Sequence, residues 1–154
     1  MSEYKTIDTY LEKNLDKSLA ELGTLVAQPS ISAQGIGLKE CASLVADMLR
    51  ARGFIAEIMD TEGAPVVFAE RKGKGDKTLL FYNHYDVQPP EPLELWESPP
   101  FEPVIRDGKM YGRGISDDKG HITSRLHAID AILETDGDLP CNIKFIIEGE
   151  EETA

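Results

Sequence analysis

The sequence predicts an α/β fold: a mixed, mostly parallel sheet flanked by helices. Three observations lead there. The chain opens with two amphipathic stripes of helical spacing, two largely apolar runs of strand length follow at 78–83 and 142–147, and a third helical stripe separates those runs. Parallel strands need a long crossover of that kind, and strands buried on both faces read as continuous rather than alternating apolar runs.

The first stripe is Ile7, Leu11, Leu15, Leu19, Leu22 and Val26, spaced by three and four. It predicts one amphipathic helix that ends by Gln28, because Pro29 biases its predecessor away from helical angles. A second helix is expected over 38–52, with Cys41, Val45, Met48 and Leu49 inward and Gly53 closing it. Short strands at 54–59 and 65–69 follow, separated by the turn-like Thr61-Glu62-Gly63. The basic stretch 71–77 reads as a surface loop or hairpin tip. The run 78–83 reads as a central strand with function at its carboxyl end. Residues 88–107 are proline-rich and acidic, which predicts a long irregular loop, and such loops usually carry function. A third helix should begin near Asp117 or Asp118, with Ser116 as a cap and Ile122, Leu126, Ile129 and Leu133 as its buried stripe. The turn Asp136-Gly137-Asp138 then leads into the strand at 142–147.

Twenty-eight acidic and 16 basic residues in 154 give a formal charge of −12. With no cluster of Lys and Arg, this argues against a nucleic-acid or anionic-membrane partner, since phosphate contact needs positive charge. No apolar run reaches the roughly 20 residues of a membrane span. The start, Met1-Ser2-Glu3-Tyr4-Lys5-Thr6, lacks the plan of a secretory signal. Cys41 and Cys141 lie far apart, so neither a disulfide framework nor a thiolate zinc site is indicated, and a cytoplasmic location is expected.

Three groups of residues carry chemistry. His84-Tyr85-Asp86 ends the 78–83 run, and residues i and i+2 of an extended segment face one side. An imidazole there could bind a metal while the carboxylate orients its ring, although a satisfied buried histidine beside an unrelated acid has the same pattern. Gly112-Arg113-Gly114-Ile115-Ser116-Asp117-Asp118-Lys119-Gly120 brings two carboxylates to a helix N-terminus, where capping explains one acid and leaves the flanking glycines over. Glu150-Glu151-Glu152 follows a buried strand, which places a tract that is elsewhere merely solvated at the edge of a cleft. One imidazole with several carboxylate oxygens suits zinc, with manganese or cobalt as alternatives. His121 and His127 read as surface or flanking residues, and Trp96 and Phe101 as packing for the proline-rich loop.

The motifs His84-Tyr85-Asp86-Val87-Gln88-Pro89, Trp96-Glu97-Ser98-Pro99-Pro100-Phe101, Asp107-Gly108-Lys109-Met110-Tyr111-Gly112-Arg113-Gly114, Asp117-Asp118-Lys119-Gly120 and the closing Glu-Glu pair, in that order, resemble the M20 zinc metallopeptidases. Within that family they look most like the dipeptidase and carnosinase-like branch. The resemblance implies a zinc-exopeptidase-like catalytic domain, two Zn2+ per full-length active site, and these roles. His84 would bind one metal, with Asp86 orienting its ring. Asp117 would bridge two metals through a segment whose peptide bond to Asp118 is cis. Glu151 would be the general base and Glu152 a ligand of the second metal, the register Glu148-Gly149-x-Glu-Glu selecting these two.

The resemblance also implies that residues 1–154 are the N-terminal part of the catalytic domain. A lid and dimerisation domain, a C-terminal catalytic segment and further metal ligands would lie elsewhere. The chain ending just after a buried strand reads as truncation, Ala154 stands where the family more often has glycine, and the chain alone is expected to be inactive. The expected substrate is a dipeptide-like amide, and the full-length protein is expected to be a homodimer. An N-acyl amino-acid deacylase or desuccinylase of the same family is the alternative, and a non-catalytic metal-binding or interaction module is a third reading.

Overall fold

The computed structural model describes residues 4–153. The residues 1–3 of the start and Ala154, on which two of the expectations above bear, lie outside them. The first stripe forms two helices, α1 (Lys5–Lys13) and α2 (Leu15–Ala27), where the spacing predicts one. Asn14 divides them, with φ −108° and ψ 12°. Its side-chain amide and its backbone N–H both donate to the Tyr10 carbonyl, at 2.8 and 3.0 Å. Asparagine competes for backbone groups in this way, and the pattern of apolar spacing does not register it. Leu11 and Leu15 beside the break are accordingly exposed.

Helix α3 (Leu38–Arg50) buries Cys41, Val45, Met48 and Leu49 as predicted, and Gly53 follows with a left-handed φ of 76°. Strands β1 (Ile55–Met59) and β2 (Val66–Arg71) pair antiparallel. Residues 72–77 are a loop but not a hairpin tip. They fold against residues 136–142, through Lys74 N–H to the Leu139 carbonyl and Gly73 N–H to Asn142 Oδ1.

The run at 78–83 becomes β3 (Thr78–His84), and 142–147 becomes β6 (Asn142–Glu148). The strand order is β1-β2-β6-β3, so β6 is central and β3 lies at the edge of the sheet among the described residues. This corrects the expectation of a doubly buried central strand, since Leu79, Leu80 and Tyr82 are 46, 55 and 54% exposed. The sheet is mixed: β6 runs parallel to β3 and antiparallel to β2. The parallel pairing is thus confined to the pair that a helical crossover joins. That helix is α4 (Lys119–Asp136), which buries Ile122, Leu126 and Ile129 and ends at left-handed Gly137. Ser116 is not its cap. Asp118 occupies that position without a capping hydrogen bond, because its carboxylate is engaged elsewhere. The proline-rich stretch is less irregular than expected, since β4 (Val104–Arg106) and β5 (Lys109–Tyr111) form a hairpin there. Its two-residue turn is Asp107-Gly108, with φ 49° and 72°, the left-handed angles a tight hairpin needs.

The core lies on one face of the sheet. Val67 and Ala69 of β2 and Ile143, Phe145 and Ile147 of β6 are buried in one cluster with residues of α3 and α4. Phe145 is flanked by Phe54 and Phe81, at ring-centroid distances of 5.6 and 5.1 Å. The opposite face, with Phe68, Glu70, Lys144 and Ile146, is only half-buried among the described residues. Nor does any described helix have the length and apolarity to cross a membrane.

Helices α2, α3 and α4 are tied together by one arginine. Arg52 uses all five of its N–H donors. Nη1 and Nη2 reach Glu21 at 3.0 and 2.6 Å, Nε and Nη2 reach Asp130 at 2.8 and 2.6 Å, and Nη1 also reaches the Met48 carbonyl. His127 is part of this cluster rather than a surface residue, with Nε2 2.7 Å from Glu21 Oε2. Burial alone would raise the Glu21 pKa, but hydrogen bonds from His127 and Arg52 outweigh it and hold the group at about 2, against a model-compound value of 4.5. A carboxylate depressed in this way contributes stability that is complete above its unfolded pKa and is lost as pH falls through the folded value. Glu21→Gln should therefore flatten the decline of the urea midpoint between pH 4.5 and 2. An acid limb identical to that of the unaltered protein would show that this carboxyl does not carry the effect.

Candidate metal centre

Strands β3 and β6 are in parallel register with His84 opposite Glu148, so both deliver their carboxyl ends to the same edge of the sheet. The N-terminus of α4 starts at that edge as well. Segments far apart in the chain meet there because ligand sites in α/β sheets form beyond the carboxyl ends of parallel strands.

His84 ends β3 nearly buried. Its Nδ1 lies 3.3 Å from Asp86 Oδ1 and 3.2 Å from the Asp86 carbonyl. Its Nε2 lies 3.0 Å from Asp117 Oδ1 and 3.9 Å from Glu151 Oε2. Burial opposes the charged imidazolium, but the surrounding carboxylates of Asp86, Asp118 and Asp117 outweigh it and raise the pKa to about 9. This is a place built to hold positive charge.

Asp117 and Asp118 are joined by a cis peptide bond, as the resemblance implies. They turn in different directions. Asp117 is mostly exposed and faces His84. Asp118 faces the sheet, where Oδ2 accepts from Asn83 Nδ2 at 2.6 Å and from the His84 backbone N–H at 3.2 Å, while Oδ1 pairs with His121 Nδ1. Asn83 Oδ1 in turn accepts from Arg125, whose guanidinium lies over the Phe81 ring. Nothing in the sequence singles out Asn83 or Arg125, and it marks Asp118 only as the second acid at the helix N-terminus. The one available signal was a polar residue interrupting an apolar run directly before His84.

After β6, Gly149 lets the chain pass over the buried ring of Tyr85, which would lie 2.3 Å from an added Cβ. The three glutamates then diverge. Glu150 turns its carboxylate toward Gly63. Glu151 is about half exposed and reaches toward His84 Nε2. Glu152 joins His84 and Asp117 in a group whose donor atoms all lie within 4.8 Å of one another, and Gln88 donates to its Oε2. Asp86 is fully buried among them. Burial would raise its pKa, but His84 and the Glu152 backbone N–H hold it below the usual carboxylate range.

A second group, Glu21, His127 and Asp130, has the same ligand chemistry and proximity. There, however, the Arg52 guanidinium sits bidentate on both carboxylates, so the local negative charge is already matched by a side chain. Trp96 pins its own loop, with Nε1 donating to the Pro90 carbonyl and Arg113 stacked 5.2 Å over its ring.

The profile of Peptidase family M20/M25/M40 matches residues 80–154, the stretch that contains every member of the His84 centre. Residues 80–154 are a segment of peptidase family M20. Members of this family are metal-dependent hydrolases, which agrees with the donor set just described. The fold agrees too. A solved M20 family metallo-carboxypeptidase from Sulfolobus solfataricus superposes with a TM-score of 0.83 at 42% identity, over 88% of this chain and 31% of that one. Human carnosine dipeptidase 1 superposes with a TM-score of 0.90 at 32% identity, over 97% of this chain and 35% of that one. Among curated sequences, a succinyl-diaminopimelate desuccinylase of Herminiimonas arsenicoxydans is 36% identical over 138 residues, which is 90% of this chain. The chain spans 36% of the length of that relative.

Proposed function

We propose that this M20 chain contributes the metal-binding part of an enzyme that hydrolyses the amide bond of a dipeptide-like substrate. His84, Asp117 and Glu152 would hold divalent cations. Asp86 orients the His84 ring, and Glu151 is the general base. The observation that carries the reading is the convergence of one imidazole and two carboxylates within 4.8 Å, beside a third carboxylate that stays half exposed. Such a nitrogen and oxygen donor set suits Zn2+, and also Mn2+ or Co2+. When bound, these ions supply Lewis acidity to the scissile carbonyl and make water more acidic. Glu151 takes the proton of the attacking water and returns it to the departing amine. The remainder of the catalytic domain, a lid and a homodimer contact belong to sequence beyond these residues. That proposal is in keeping with a relative about two and a half times as long. A cytoplasmic location is part of the same reading.

The dipeptide reading draws on the likeness to carnosine dipeptidase 1. A second reading, cleavage of an N-succinyl amino acid, draws on the desuccinylase relatives. Hydrolysis of dipeptides and of N-succinyl amino acids, measured side by side on a complete enzyme carrying this segment, separates them. Turnover of the succinylated substrates alone would overturn the first.

The metal site itself is testable on the 154-residue chain. Titration with Co2+ should show binding that His84→Ala weakens by at least about 100-fold, since even residues outside the ligand set typically cost 10–100-fold. Equal affinity of the two proteins would remove His84 from the site.

A further inference from the structure

We infer that Asp86 is the positioning residue for the Glu151-Glu152 turn, a role separate from its contact with the imidazole. Its two carboxylate oxygens divide the work. Oδ2 accepts the backbone N–H of Glu152 at 2.8 Å, and Oδ1 accepts the backbone N–H of Glu151 at 3.3 Å. Two consecutive amides thus point into one fully buried carboxylate, at the start of the 3₁₀ turn Glu151–Thr153. From this anchored backbone the two side chains diverge, Glu152 toward His84 and Asp117, Glu151 toward the open side. The inference deepens the proposed function and rests on it for the consequence that base and ligand share one anchor. The anchor itself is independent of any metal.

The imidazole does not depend on the carboxylate in the same way. His84 Nδ1 is 3.2 Å from the Asp86 backbone carbonyl, about as close as it is to Oδ1. That carbonyl survives any substitution at position 86. An asparagine side chain, by contrast, has one acceptor where aspartate has two. Whichever way its amide is turned, an NH2 group faces one of the two backbone N–H groups. Asp86→Asn therefore spares an acceptor for His84 and necessarily costs the glutamate turn a hydrogen bond.

The experiment is residue-resolved amide hydrogen exchange on the metal-free 154-residue chain. In the unaltered protein the Glu151 and Glu152 amides should be protected. Asp86→Asn should speed exchange of at least one of them by about tenfold, the equivalent of one net hydrogen bond. The β6 amides should not change, which separates local release from general destabilisation. His84→Ala should leave both glutamate amides protected, a result not expected if Asp86 acted only on the ring. Unprotected amides in the unaltered protein would overturn the inference, and that measurement stands even if Asp86→Asn fails to fold. Retained protection of both amides in Asp86→Asn would overturn it as well. Because no metal is present, failure of the metal reading would show in the Co2+ titration and not here.

Discussion

Glu151→Ala is expected to lower amide hydrolysis by about 10²–10⁴-fold, the range a positioned general base contributes, while Co2+ binding by the chain stays unchanged. The expectation follows from how the three adjacent glutamates are disposed. Glu152 is the member that shares a donor cluster with His84 and Asp117, so removing it should lose metal and activity together. Glu151 lies at 3.9 Å from the His84 imidazole and keeps about half of its side chain in solvent, where a reacting water can reach it. Glu150 faces Gly63, outside the cluster, so Glu150→Ala should spare both properties. Single-turnover hydrolysis by a complete enzyme carrying this segment, set beside Co2+ titration of each variant, gives three distinct signatures. An active Glu151→Ala would take the base away from this position. Loss of metal in the same variant would make Glu151 a ligand and shift the register of the motif by one.

Much of this centre was legible because its members sit at chain punctuation. His84 closes an apolar run, Asp117 precedes a helical stripe, and the glutamates follow a buried strand. In each case the end of a regular element is marked by a change of residue character. The supporting residues were hidden for a physical reason. Asn83 and Asp118 are 35 positions apart, and their 2.6 Å bond exists only because β3 and the start of α4 meet in space. The misjudged strand has a similar cause. Leu79 and Leu80 look like core residues in sequence, but burial depends on which strand lies beside them, and β6 takes the central place from more than 60 residues downstream. The single opening helix was misread locally instead: spacing reports which face is apolar, not whether Asn14 will take the Tyr10 carbonyl for itself.

The second large effect is expected away from the candidate metal centre. Arg52→Met should destabilise the fold by about 3–5 kcal/mol, the cost of removing one partner from a buried ion pair. The size follows from what is left behind. Glu21 and Asp130 are each about one-fifth exposed, and both would lose a bidentate cation. Methionine fills much of the volume but accepts no part of the charge, so the loss is electrostatic rather than a cavity. Removing the charges together should recover stability: Arg52→Met combined with Glu21→Gln and Asp130→Asn is expected to unfold at higher urea than Arg52→Met alone. Asp130 lies 13 residues beyond Asp117, and most of that span is α4, which puts this partner of the arginine roughly 20 Å from Asp117 at 1.5 Å per helical residue. The folded fraction of Arg52→Met should consequently bind Co2+ as the unaltered chain does. A large fall in its affinity at temperatures where it remains folded would mean that this cluster sets the angle at which α4 presents Asp117, and not merely whether the three helices stay together.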